Sequence, residues 1–249
     1  RTPLFVRLDR RRFRAVSENV GAEKPFDERF AQCLVSSASA VFKSNLNPSM
    51  VYVASDEVNA LFSHGAPFKY RVEKMDSILA GVVSSAFSLS LQRLFKKSLV
   101  AAFDSRVVVS SPNRVTGYLV WRQQDAWRNH NNAYAYWFLL GKGYKPPEAA
   151  KILRGLKTRD VHEMLFQGGI NLAHTPPWQR RGILVYREPH QKQAGSRTVV
   201  RWRIAENWNL PLFSSLEGQA LVQKILEWTK SRKGSVNSCS SPYKVESKP

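Results

Sequence analysis

Acidic residues are scarce in this chain: 19 Asp and Glu stand against 38 Lys and Arg in 249 residues, a formal net charge of +19. An excess of that size calls for an anionic partner. Cysteine is nearly absent, and Cys33 in a helical pattern with Cys239 in a polar tail make neither a disulfide framework nor a zinc site. Five dispersed His show no metal-ligand spacing. The longest uncharged run, Ile78 to Leu91, carries four Ser and falls short of the ~20 apolar residues of a helical span. No secretory pattern opens the chain. These absences point to a cytoplasmic protein without a membrane partner. Arg1 stands directly before a strand pattern, which predicts that a segment precedes it.

What is present is apolar mass: 43% hydrophobic residues, 11% aromatic, seven Trp. That is enough to bury a sizeable core in one large domain, or in one domain with an appendage. Leu4 to Leu8 reads as a strand closed by Asp9, followed by the basic cluster Arg10, Arg11, Arg12 and Arg14. Asp27 is placed to cap a helix continued by Phe30, Leu34, Ala38 and Val41. Val51 to Ala54 and Val58 to Phe62 form a hairpin pattern around Ser55-Asp56-Glu57. A long helix from Tyr70 to about Phe95, a strand at Val107 to Val109 and a second long helix from about Arg114 to Leu140 follow. The order strand, helix, strand, strand, helix, strand predicts an α+β, ferredoxin-like antiparallel sheet with helices on one face, spanning residues 1–140. Residues 141–230 read as an α/β extension packed on that unit. It holds short helices near Pro147 to Leu153 and Asp160 to Phe166, strands Ile183 to Tyr186 and Thr198 to Ile204 around a basic loop, and a helix from Leu216 to Trp228. The Ser-rich end, 231–249, reads as disordered.

In so basic a chain each acid is informative. If the first strand and the hairpin are neighbours, Asp9, Asp56 and Glu57 converge at one edge of the sheet, an arrangement that suits Mg²⁺ on substrate phosphates. Asp and Glu also favour turns for conformational reasons alone. Arg71 and Lys74 share one face at a helix start, where they can meet a triphosphate or simply be solvated. Trp121 and Trp127 can stack on bases or pack in the core, while Arg122 and Arg128 beside them are candidate RNA contacts. The run Arg187 to Arg203, with Lys192, Arg197 and Arg201, reads equally as an RNA-facing hairpin or as a charged edge.

Six motifs in order, Arg7-Leu8-Asp9, Lys24-Pro25-Phe26-Asp27-Glu28-Arg29, Ser55-Asp56-Glu57, Phe103-Asp104-Ser105-Arg106, Tyr118-Leu119-Val120-Trp121-Arg122-Gln123 and Ile170-Asn171, resemble those of the tRNA-His guanylyltransferase family. The resemblance runs from about Phe5 to Tyr186. It implies a polymerase-like palm working in reverse, a 3′-to-5′ nucleotidyltransferase that adds nucleotides to tRNA 5′ ends. ATP adenylylates a 5′-monophosphate, the 3′-hydroxyl of GTP or another NTP displaces AMP, and pyrophosphate is then removed. By motif position, Asp9 and Asp56 would ligate two Mg²⁺ (or Mn²⁺), joined by the backbone carbonyl of Arg10 and flanked by Glu57. Lys24, Asp27 and Ser55 would line the nucleotide site, and Arg71 and Lys74 would hold the triphosphate. Arg122, Arg128, Arg197 and Arg201 would face RNA.

Arg10 stands where the family usually has Gly. Trp127-Arg128-Asn129-His130 is similar to the archaeal and bacterial branch, whose members repair 5′-truncated tRNAs. Arg14 and Val161 replace a family His and Lys, pointing away from strict tRNA-His specificity. The family also implies a homo-oligomer, a dimer or tetramer. Two other readings stay open: a tRNA-binding protein impaired in catalysis, and another palm enzyme such as a nucleotidyl cyclase.

Overall fold

The computed structural model describes residues 2–10, 13–194 and 197–237. β1 (Leu4–Arg10) alternates apolar Leu4, Val6 and Leu8 with Phe5, Arg7 and Asp9, so its two faces carry different chemistry. A short helix α1 (Phe13–Asn19), absent from the sequence expectation, leads to α2 (Glu28–Lys43). Asp27 caps α2, accepting from Arg29 N at 2.8 Å and Phe30 N at 3.4 Å. β2 (Met50–Ala54) and β3 (Glu57–Phe62) follow, almost wholly buried, as central strands should be. Then come α3 (Val72–Phe95), β4 (Phe103–Val109) and α4 (Val115–Gly141). The remainder is α5 (Pro146–Arg154), α6 (Thr158–Gln167), α7 (Pro177–Arg181), β5 (Ile183–Ala194), β6 (Arg197–Asn207) and α8 (Leu216–Asn237).

The strands form one six-stranded sheet in the order β4-β1-β3-β2-β5-β6, antiparallel throughout. Its first four strands are the expected ferredoxin-like unit, and α2 and α3 cover one face over Leu4, Val6, Leu8, Val51, Val58 and Phe62. The opposite face is also covered: Phe5, Met50, Tyr52 and Leu61 pack under α4 and α8. Helices therefore lie on both faces, because α4 and α8 add a second apolar layer that the strand order alone does not specify. The hairpin β5–β6 joins the sheet beside β2, Met50 opposite Tyr186 and Val53 opposite Ile183. The expected basic loop within it is instead continuous strand, paired from Leu184–Asn207 out to Ala194–Arg197.

By length and composition alone α3 could cross a membrane. In the fold, Met75, Leu79, Val83, Phe87 and Leu91 make a buried spine at helical spacing against the sheet and α2. Gly182 ends α7 at φ +77°, and a Cβ there would come within 2.6 Å of the Tyr52 ring and of Val53 O, so β5 can start against β2 only with glycine at this position. The terminal helix passes through Ser231 and runs to Asn237, where disorder was expected. The rest of that expected tail, 238–249, lies outside the described residues.

Candidate active site

Pairing brings acids into one row. β1 runs between β3 and β4 with Asp9 opposite Glu57 on one side and Asp104 on the other. Directly opposed residues share a face of the sheet, here the face toward α4. Asp9 is therefore inside a strand, where it was expected to end one, and Glu57 begins β3 where a turn residue was expected. Asp104 was missed as a site residue because the strand around it was expected to begin only at Val107. The signal was available: Asp104 and Arg106 alternate in step with Arg7 and Asp9.

Carboxylates this close repel, and three guanidinium groups offset them. Arg7 Nη2 donates to Glu57 Oε1 at 2.5 Å and to Asp9 Oδ1 at 3.1 Å. Arg106 Nη2 lies 3.0 Å from Asp9 Oδ2 and 3.3 Å from Asp104 Oδ1. From α4, Arg122 Nε lies 3.5 Å from Glu57 Oε2, and its Nη2 pairs with Asp125. Burial pushes the Glu57 carboxyl up to about 7 against the pull of Arg7, with Asp9 and Asp56 adding to the rise. Asp56 sits in the turn beside Glu57, after Ser55 at φ +56°. It is Glu57, more than Asp56, that stands across from Asp9. Among the described residues no group of three His, Cys, Asp or Glu side chains is arranged to hold a metal ion. The expected carbonyl ligand belongs to Arg10, the last residue of β1, whose side chain lies outside the described residues.

Beside the row is a cavity of about 150 Å³ that gathers Lys24, Asp27 and Ser55, with Phe26, Asn129 and Trp178 in its wall. The turn between β2 and β3 joins the two: Ser55 lines the cavity and Glu57 belongs to the row. Asp27 is buried, which alone would raise its pKa, but the Arg29 guanidinium at 2.7 Å and the backbone N–H of Glu23 at 2.9 Å hold it below the usual carboxylate range. Lys24 Nζ donates to Ser17 Oγ at 2.6 Å and lies 5.7 Å over the Trp137 ring. Burial lowers its pKa.

Arg71 and Lys74 sit elsewhere, exposed at the start of α3, the helix on the other face of the sheet. Arg71 Nε reaches Phe68 O at 3.4 Å, and Lys74 Nζ lies 5.2 Å over the Phe68 ring. Arg122, expected at an RNA surface, is 3% exposed and engaged with acids, so the burial that neutralises Glu57 removes it from solvent. Arg128 is 67% exposed and pairs with Asp125. Arg201 is exposed on β6 opposite His190. Arg197 begins β6, its side chain outside the described residues. His130 is structural: buried, it pairs with Asn131 Oδ1 at 3.1 Å and Thr175 Oγ1 at 2.9 Å, and burial lowers its pKa to about 4.

A family profile described as tRNAHis guanylyltransferase matches residues 1–111, and one described as Thg1 C terminal domain matches residues 113–238. The chain belongs to the tRNAHis guanylyltransferase family. The probable tRNA(His) guanylyltransferase of Drosophila melanogaster is 32% identical over 74% of this chain and 67% of its own length. Among solved structures, a bacterial tRNA(His) guanylyltransferase-like protein in complex with ATP superposes with a TM-score of 0.72 at 25% identity, covering 90% of this chain and 91% of its own. The Saccharomyces cerevisiae enzyme superposes with a TM-score of 0.67 at 25% identity, over 74% of this chain and 85% of its own. Both profiles meet between β4 and α4, so the family's division falls before the helix that carries Arg122.

Proposed function

We propose that the chain performs the family's reaction, nucleotidyl addition to the 5′ end of a tRNA, with ATP and GTP as substrates. The observation that carries this reading is the row Asp104, Asp9 and Glu57 joined through one turn to the cavity of Lys24, Asp27 and Ser55. A carboxylate row suits the reacting phosphates only if their charge is neutralised, which is the role of Mg²⁺.

The residues fit such an ion. Magnesium is commonly held by one or two carboxylates, with water and substrate phosphates completing its shell. Asp9, Asp56 and the carbonyl of Arg10 offer hard oxygens of that kind at the ends of adjoining strands. Bound there, Mg²⁺ supplies charge neutralisation for the triphosphate and lowers the pKa of the attacking hydroxyl. Arg7 and Arg106 now occupy both Asp9 oxygens and would be freed for phosphate. Lys24 and Asp27 would position the nucleotide in the cavity, while Arg71 and Lys74 would meet a triphosphate that reaches the start of α3. Adenylylation joins the 5′-phosphate to the α-phosphate of ATP and releases pyrophosphate. The 3′-hydroxyl of the incoming nucleotide then attacks the 5′-phosphate, AMP leaves, and a last hydrolysis releases pyrophosphate. The branch that repairs truncated tRNA, and assembly as a dimer or tetramer, belong to the same reading.

The test is extension of a tRNA lacking its first nucleotide, with labelled GTP, ATP and Mg²⁺. Wild type extends it; Asp9→Asn, with an unchanged melting temperature, loses at least about a hundredfold. Folded wild type giving no product would overturn the reading. It would favour instead an RNA-binding protein without transfer, which the guanidinium groups on both Asp9 oxygens already suggest.

A further inference from the structure

A second hollow lies on the far side of Arg122 from the carboxylate row. It is a groove of about 740 Å³ between α4, the end of α7 and the segment before α8, lined by Trp121, Trp127, Arg128, Arg180, Arg181 and Leu212. Its walls are fixed from beneath by one buried side chain. Gln123 Nε2 donates to Arg181 O at 3.1 Å and Pro211 O at 3.2 Å, and its Oε1 accepts from Phe213 N at 2.8 Å. Arg181 Nη1 adds a bond to Leu210 O at 2.9 Å. The groove is therefore a built feature and not a gap between loose segments.

Its chemistry is lopsided. The lining has two indoles and three guanidinium groups and no carboxylate. Trp121 is 49% exposed, with the Arg122 guanidinium 4.2 Å over its ring, so the ring is held in place yet open to the groove. Trp127 is stacked at 15° on His130. Arg180 Nε is buried with no hydrogen-bond partner, an arrangement that costs stability unless an acceptor arrives. Burial and the neighbouring Arg181 both lower the Arg180 pKa, as expected of a cation waiting for an anion. An aromatic platform beside the unsatisfied Arg180 guanidinium, with the exposed Arg128 on Asp125 next to it, matches a base and its phosphate.

We propose that this groove binds an unpaired nucleotide of the RNA substrate, its base against Trp121 and its phosphate on Arg180 with Arg128. The inference rests on the RNA-modifying reading above and deepens it: Arg122 separates the groove from Glu57, so a strand whose end reacts at the row has a seat for a neighbouring nucleotide. An acidic, aromatic peptide shares the groove's charge complementarity, but a chain of net charge +19 with a carboxylate row next door is built for a polynucleotide.

The experiment measures binding of two fluorescein-labelled RNA hairpins by the full chain, one blunt and the other carrying a single-stranded end. Trp121→Ala is expected to weaken the single-stranded form by about 5- to 150-fold, the loss of one stacked base, and to leave the blunt form within about twofold. Arg180→Gln is expected to weaken the single-stranded form and to flatten its salt dependence by roughly one phosphate contact. Arg180→Lys, which keeps the charge, restores that slope. Thermal melts show that each variant is folded. Equal weakening of both hairpins by Trp121→Ala, wild-type binding by both variants, or displacement of the RNA by polyglutamate that depends on Trp121 overturns the proposal. Asp9→Asn is carried alongside: loss of extension with retained groove-dependent binding separates the two readings, as does normal extension with groove variants that bind like wild type.

Discussion

His130 shows at the level of one residue how this fold spends polar groups away from its chemistry. Its ring is buried between Asn131 and Thr175, and burial lowers its pKa to about 4 from an ordinary 6.5, with Arg180 and His162 acting in the same direction. The unfolded chain then binds a proton that the folded one refuses. Stability is complete above about pH 6.5 and falls as pH drops toward 4. Between pH 7 and 5 the loss from this residue is roughly 2 kcal/mol, and urea titrations of wild type against His130→Gln should show the steeper decline only in the wild type. Asp27 acts with the same sign, over a lower pH range. Held low by Arg29 and backbone donors against its own burial, it stabilises at pH values above the ordinary carboxylate range, and that contribution disappears as pH falls through its lowered value. Asp27→Ala should cost about 0.5–2 kcal/mol near neutrality and converge with wild type in strong acid. The capping role was legible from an acid ahead of an apolar helical pattern. The buried His was not, because one His in a helix pattern does not reveal whether Thr175, 45 residues on, will meet it.

Element ends decide how much of the site could be read in advance. Asp9 and Glu57 were recognisable as site acids, but their direct opposition depends on β1 running two residues farther than its apolar pattern does. Charged residues at a strand end break the alternation of hydrophobicity while keeping the alternation of faces, so Asp9, Asp104 and Arg106 hid two strand ends by being charged. α4 was hidden differently. Its length was clear, but Arg122, Gln123 and Asn131 are buried polar residues that an amphipathic pattern assigns to solvent. Gln123 is the one to test: Gln123→Leu keeps the volume while stranding Phe213 N and Pro211 O, and should cost about 2–4 kcal/mol. A urea midpoint within error of wild type would show that the segment before α8 finds other partners.

At the scale of the whole molecule the charge is divided between two tasks. The buried Arg122, the half-buried Arg7 and the exposed Arg106 neutralise the carboxylate row, and the exposed cations of α4 and the β5–β6 hairpin are the ones proposed for RNA. A nucleotidyl cyclase needs the first task only, and a binder without chemistry the second only. Neutralising about six phosphates makes affinity fall by roughly 10³ between 50 and 200 mM salt, so a tRNA titration over that range should give a steep linear slope of log K against log salt. Arg201→Gln on the exposed hairpin should reduce that slope by about one contact and leave nucleotide affinity unchanged, since Arg201 lies out along the hairpin opposite His190 while β5 lines the cavity only at Ile183. Arg122→Gln should do the reverse. With Glu57 deprived of a buried partner, extension falls and the salt slope stays as it was. Finding the two variants interchangeable would mean that the charge surplus is one undivided surface and that the inner arginines have no separate role.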